Sequence, residues 1–111
     1  MKINDPIQDL ANQIKLLILD VDGVLTNGSI IYDTNGNELK FFNVKDGLAI
    51  KQVQQFNIEV AIITARESTV VAKRAKELGV KHLFQKQTNK LDCYNNLIKS
   101  LDVKDEEVAY L

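Results

Sequence analysis

Leu16-Leu17-Ile18-Leu19-Asp20-Val21-Asp22-Gly23 is the stretch on which the reading of this chain turns. Leu16 to Leu19 is a compact apolar run, too short for a helix and suited to a strand buried on both faces. Asp20 and Asp22 stand at its carboxyl end. Residues i and i+2 of a strand project to the same side. Two carboxylates that close repel, and one is driven neutral unless a cation sits between them. Magnesium takes oxygen ligands and shares its shell with water and phosphate. Gly23 allows a sharp bend and lets backbone N–H groups approach an anion. A bare Asp-X-Asp, by contrast, is most simply a solvated acidic turn.

Downstream, Thr26-Asn27-Gly28 signals a turn, Ser29 to Tyr32 is β-rich, residues 33–37 form a second turn, and Leu39 to Val44 is extended again. Two such runs beside Asn-Gly signals predict a β-hairpin. Asp46-Gly47 opens a predicted helix with Ile50, Val53 and Phe56 on one face. Val60 to Ile63 is a second buried strand. Ser68 caps a helix with Val71, Ala75 and Leu78 inward, closed by Gly79. Val80 to Phe84 is a third, weaker strand. Asn89 to Leu101 is a helix carrying Leu91, Tyr94, Leu97, Ile98 and Leu101. Val108 to Leu111 begins a fourth strand. Upstream, Asp5-Pro6 starts a short helix that runs to about Gln13. Alternating strands and helices predict an α/β fold, a doubly wound parallel sheet with the hairpin inserted after its first strand. Residues 1–111 form one domain. A buried parallel strand leads into a polar loop at its carboxyl end, so a stop inside the apolar run Val108–Leu111 reads as a cut sequence or a lost last portion.

Composition narrows the function. The 111 residues carry 14 basic and 15 acidic side chains, a formal charge of −1, with 45% apolar residues. This balance gives no electrostatic footprint for nucleic acid or an acidic membrane. The apolar runs fall far short of the roughly 20 residues that span a bilayer. Cys93 is the one cysteine, which excludes an internal disulfide and a Cys-based zinc site. The N-terminus has no apolar core of the signal-peptide kind. The reading is a cytoplasmic domain with neither nucleic-acid nor membrane partners.

Thr64 follows the second buried strand, and Lys90 opens the helix after the third. In a doubly wound fold these strand ends converge on one crevice. A hydroxyl, an ammonium, helix N-termini and two carboxylates there make a metal-assisted phosphate site. Taken singly, Thr64 is equally a capping or strand residue, and Lys90 an ordinary surface lysine. Their joint placement favours the site.

Asp20-Val-Asp-Gly-Val-Leu-Thr26 resembles the first motif of the haloacid dehalogenase (HAD) superfamily of phosphatases. Ile62-Ile-Thr64-Ala-Arg66-Glu-Ser68 is similar to the second motif, and Lys90 stands where the third motif's lysine is expected. Leu25-Thr26-Asn27-Gly28, the hairpin with Tyr32 and Gly36, Phe42 with Asp46-Gly47, and Thr64 to Ser68 resemble one branch. That branch is the 3-deoxy-D-manno-octulosonate 8-phosphate (KDO 8-phosphate) phosphatases with their nonulosonate 9-phosphate relatives. The resemblance runs from Lys15 onward.

The resemblance implies a magnesium-dependent phosphatase for a sugar-acid phosphate, in lipopolysaccharide biosynthesis. Asp20 would attack phosphorus to form an aspartyl-phosphate. Asp22 would protonate the leaving alcohol and then activate water. Magnesium would bind the Asp20 carboxylate and the Asp22 backbone carbonyl. Thr64 and Lys90 would hold phosphoryl oxygens. Arg66 is a candidate partner for the sugar-acid carboxylate, or else a surface salt bridge with Glu67 or Glu77. The resemblance also implies no cap domain and a homotetramer assembled through the apolar hairpin 29–44. Three departures stand out. Glycine is usual where Ala65 and Lys86 stand. The fourth motif, in which a strand like Val108–Leu111 continues into Gly-Asp-Asp and a further Asp, is not in these residues, nor are the family's last strand and helix, which implies an impaired chain. Two other readings are a non-catalytic truncated module and a phosphate-receiving signalling domain. The second expects an acceptor aspartate after the third strand, where Phe84-Gln85 stands instead.

Overall fold

The structure, a computed structural model, describes residues 12–111. The helix expected to begin at Asp5 lies, up to residue 11, outside the described residues. Strand β1 spans Leu16–Leu19, β2 Ile31–Tyr32, β3 Glu38–Leu39, β4 Glu59–Ile63, β5 His82–Phe84 and β6 Val108–Tyr110. Helix α1 spans Val44–Gln55, α2 Thr69–Glu77 and α3 Lys90–Leu101, and a 3-10 turn at Asp105–Glu107 precedes β6.

The main sheet is parallel, in the order β5-β4-β1-β6. Its central strand β1 pairs from Leu16↔Glu59 to Leu19↔Ile62 on one side and from Leu16↔Val108 to Ile18↔Tyr110 on the other. Both faces are covered, which is why β1 and, after Glu59, β4 are apolar rather than alternating. Leu19, Val60 and Ile62 pack with Ile50 of α1 and Val71 and Ala75 of α2. Leu16, Ile18, Ala61 and Ile63 pack on the opposite face with Cys93 and Leu97 of α3. The chain thus winds to one side of β1 through β4 and β5, then crosses back to β6. That reversal puts a crevice at the carboxyl end of β1, where sheets of this kind bind ligands. The predicted α/β architecture is the observed one. The inserted hairpin is also present: β2 and β3 form a separate antiparallel pair, Ile31↔Leu39 and Tyr32↔Glu38, closed by a turn on Asp33.

Several expectations are corrected. Helix α1 starts at Val44, capped by Asn43, whose side chain accepts from the Lys45 N–H, rather than opening at Asp46-Gly47. Phe56 is the C-cap residue of α1 and is 77% exposed, not part of its inner face. Leu91 is 67% exposed, and Cys93 takes the buried position near the start of α3. The hairpin strands are shorter than the runs 29–32 and 39–44, because Phe42 leaves the ladder to pack on the core. Ser68 caps α2 as expected, accepting from the Val71 N–H, and Gly79 follows α2 at φ 73.

Candidate active site

Strand β1 ends at Leu19, so Asp20 and Asp22 do not share a strand face. Val21 is buried, and its carbonyl accepts from the N–H groups of Val24, Leu25 and Thr26 at 3.2, 2.9 and 3.1 Å. The chain therefore turns tightly about Val21 with its apolar side chain as the anchor. Gly23, at φ 85, occupies a left-handed conformation that other residues adopt at a cost. The two carboxylates leave this turn toward different neighbours.

Asp20 faces α3. Its Oδ1 accepts from the Val21 N–H at 2.7 Å, and its Oδ2 lies 2.9 Å from Lys90 Nζ. Lys90 is the first residue of α3, whose N-cap Asn89 accepts from the Asp92 N–H at 3.1 Å. Thr64 directly follows β4 and is 4% exposed. Its N–H donates to the Phe84 carbonyl at 2.9 Å and its carbonyl accepts from the Gln87 N–H at 3.0 Å. The crevice thus brings together the ends of β1, β4 and β5 with the start of α3, as the paired positions of Asp20, Thr64 and Lys90 led one to expect.

Asp22 faces the hairpin instead. Lys40 Nζ lies 2.8 Å from Asp22 Oδ1 and 2.9 Å from Glu38 Oε1, with the lysine side chain only 3% exposed. Burial works against the Lys40 charge, but hydrogen bonds to Asp22 and Glu38 outweigh it and hold its pKa above the ordinary lysine value. Arg66 Nη2 lies 2.8 Å from Glu38 Oε2, and Arg66 Nη1 is 3.7 Å from Asp22 Oδ2. The salt bridge of Arg66 is therefore with Glu38, not with Glu67 or Glu77. Those acids pair with Lys86 at 2.7 Å and Arg74 at 3.8 Å. Glu38 and Lys40 were not singled out in the sequence. The available signal was the alternation Glu38-Leu39-Lys40-Phe41, charged on one side of an extended segment and apolar on the other.

The loops after β4 and β5 are joined. The Lys86 N–H donates to the Arg66 carbonyl at 3.2 Å, and the Ser68 N–H to Gln85 Oε1 at 2.7 Å. Lys86 sits at φ 57, which accounts for the glycine expected there. Ala65 is not among the positive-φ residues, so the backbone makes no such demand at that position. In sum the crevice offers a carboxylate held by an ammonium, a buried hydroxyl, and a second carboxylate flanked by two cations. That set suits a dianionic group approaching Asp20. Among the described residues no three His, Cys, Asp or Glu side chains are grouped to hold a metal ion. Nor is any described helix long and apolar enough to cross a membrane.

No family model matches the chain. The chain is 50% identical over 101 residues to the 3-deoxy-D-manno-octulosonate 8-phosphate phosphatase KdsC of Salmonella typhi, covering 91% of this chain and 54% of that protein. The crystal structure of the Yersinia pestis phosphatase superposes with a TM-score of 0.90 at 44% identity, over 97% of this chain and 58% of that one. The Moraxella catarrhalis phosphatase, solved with magnesium, phosphate and KDO, superposes with a TM-score of 0.89 at 45% identity, over 94% and 60%. The chain spans about half the length of the curated relatives it matches.

Proposed function

We propose that this chain, a HAD-type protein like the 3-deoxy-D-manno-octulosonate 8-phosphate phosphatases in sequence and fold, carries the nucleophile side of such a phosphatase. The observation that carries the reading is the Asp20–Lys90 pair at 2.9 Å at the reversal point of the sheet, with buried Thr64 at the end of the neighbouring strand β4. A relative solved with magnesium, phosphate and KDO favours KDO 8-phosphate as substrate. A carboxylate that attacks phosphorus must be held in place, and Lys90 holds Asp20 Oδ2 at 2.9 Å. In the first half-reaction an Asp20 oxygen bonds to phosphorus as the phosphorus–ester oxygen bond breaks. The departing oxygen takes a proton from Asp22. In the second, water attacks phosphorus, gives its proton to Asp22, and the bond to Asp20 breaks. Thr64 and Lys90 hold the phosphoryl oxygens, and Arg66 receives the carboxylate of the sugar acid.

The donors fit magnesium in part. The Asp20 carboxylate and Asp22 backbone carbonyl are hard oxygen ligands of the kind it takes, and the remaining carboxylate is assigned to the Gly-Asp-Asp segment of the relatives. When bound, the ion neutralises charge that builds on the phosphoryl oxygens. These 111 residues alone should therefore turn over weakly. Joined to the C-terminal segment of the Yersinia pestis relative, they should gain on the order of 10–100-fold or more, as metal sites do when an anchoring group is restored. Equal rates for the two would show that the metal site is built otherwise. We also assign the protein to the cytoplasm, and to a homotetramer assembled through the hairpin.

The direct test is release of phosphate from KDO 8-phosphate with magnesium by the full-length protein and by Asp20→Asn. The variant should retain the fold by circular dichroism and lose turnover by about 10³-fold or more, the scale for removing a nucleophile. Unchanged turnover in Asp20→Asn would sink the mechanism. A signalling receiver would instead retain its phosphoryl group and release none.

A further inference from the structure

The hairpin contributes to the crevice as well as to the surface. Along Glu38-Leu39-Lys40-Phe41, the two charged side chains turn to the end of β1 while Leu39 and Phe41 are exposed. A lysine side chain this buried is uncommon unless paired. Lys40 is paired twice, with Asp22 Oδ1 at 2.8 Å and Glu38 Oε1 at 2.9 Å. Arg66 then balances the second carboxylate, so two acids face two cations. A simple anchor for the hairpin would need only one such pair. This one instead ends on a carboxylate of the crevice and engages one of its two oxygens.

That selectivity has a chemical consequence. With Oδ1 taken by Lys40, the carboxyl group cannot rotate freely, and Oδ2 is the oxygen left to hold or deliver a proton. Arg66 stays 3.7 Å from Oδ2 because Glu38 draws its guanidinium to 2.8 Å. We propose that Lys40 is a positioning residue that presents Asp22 Oδ2 to the leaving oxygen, with Glu38 keeping Arg66 from occupying that oxygen. The inference rests on the phosphatase reading above. As the phosphorus–oxygen bond breaks, its electron pair passes to the ester oxygen, which binds the proton from Oδ2. The negative charge left on Asp22 forms beside an ammonium already in place, so no reorganisation is needed.

The readout follows from the leaving group. A sugar alkoxide is a poor leaving group and needs the proton, whereas para-nitrophenolate leaves without one. Lys40→Met, Asp22→Asn, the double variant and Lys40→Arg are compared in the full-length protein on KDO 8-phosphate and para-nitrophenyl phosphate. We expect Lys40→Met to lower kcat by about 10²-fold on the sugar ester and by less than about 3-fold on the aryl ester, the scale of misplaced general acid catalysis. In the Asp22→Asn background the same change should cost nothing further, because Lys40 acts through Asp22. Lys40→Arg keeps the charge with a different fork and should fall between. It carries the same comparison if Lys40→Met does not fold. Equal losses on the two esters, or an undiminished cost in the Asp22→Asn background, would reduce Lys40 to a structural anchor and overturn the proposal. Wild-type protein inactive on both esters would instead overturn the phosphatase reading itself.

Discussion

Lys86 holds a left-handed backbone, φ 57, between two short segments that are hydrogen-bonded to their neighbours. A side chain there carries a steric penalty that glycine does not. Its compensation is the ion pair with Glu67 at 2.7 Å, but both partners are largely exposed, and such pairs contribute little. Lys86→Gly should therefore raise the urea midpoint slightly. A fall would mean that the Glu67 contact outweighs the backbone strain. Thr64 and Arg66, two residues apart, show how differently single positions can be read. Thr64 follows an unbroken apolar run, so its place at a strand end was legible. The partner of Arg66 lies 28 residues upstream on the hairpin, beyond any local signal.

Helix α3 is tied by a polar contact to the 3-10 turn before β6 and by ring packing to β6 itself. Tyr94 Oη donates to Asp105 Oδ1 at 2.6 Å, and its ring lies 6.3 Å from that of Tyr110, centroid to centroid. Burial, with help from the Asp105 hydrogen bond and charge, pushes the Tyr94 pKa up to about 12 from 10.0. The sign follows from linkage. Below pH 10 the phenol is neutral in both folded and unfolded chains, and its contribution to stability is complete. Between about 10 and 12 the unfolded chain loses the proton first, so stability falls as pH rises through that window. Tyr94→Phe should flatten this part of the profile in urea titrations, whereas an identical slope would show that Tyr94 does not titrate differently on folding. Element existence was legible here and element edges were not. Ser68 announces α2 because capping is a local property of chain and side chain, and the helical spacing of Tyr94, Leu97, Ile98 and Leu101 announces α3. The start of α1 depends on Asn43 accepting from the Lys45 N–H, while the more conspicuous Asp46-Gly47 lies inside the helix.

At the scale of the molecule, the hairpin divides its side chains between the crevice and the surface. Ile30, Tyr32, Leu39 and Phe41 are all exposed, Phe41 by 73%. Tyr32 pairs with Glu38 and Ile31 with Leu39, so the hairpin exposes apolar side chains from both strands and both faces, more than one small domain needs, which favours a contact face. In the proposed tetramer it lies between subunits. Phe41→Glu would place a charge in that contact and should weaken association at least tenfold, or about 1.4 kcal/mol. Sedimentation at micromolar concentration checks this. A wild-type protein that sediments as a monomer would count against hairpin-mediated assembly.

The sequence by itself determined the sheet and its two covered faces, because uninterrupted apolar runs joined by amphipathic helices have few other ways to bury their surface. It also determined that the ends of β1 and β4 and the start of α3 would lie at one end of the sheet, since strand ends and helix starts of a doubly wound sheet converge by topology alone, and there Asp20 contacts Lys90. Only the tertiary structure decided the surroundings of Asp22. Lys40 lies 18 residues from it and Glu38 lies 28 residues from Arg66. Whether the inserted hairpin folds over the crevice or away from it depends on packing of Phe42 and the balance of buried charge. Those are long-range energies that no local pattern encodes, and they set which side chains Asp22 meets.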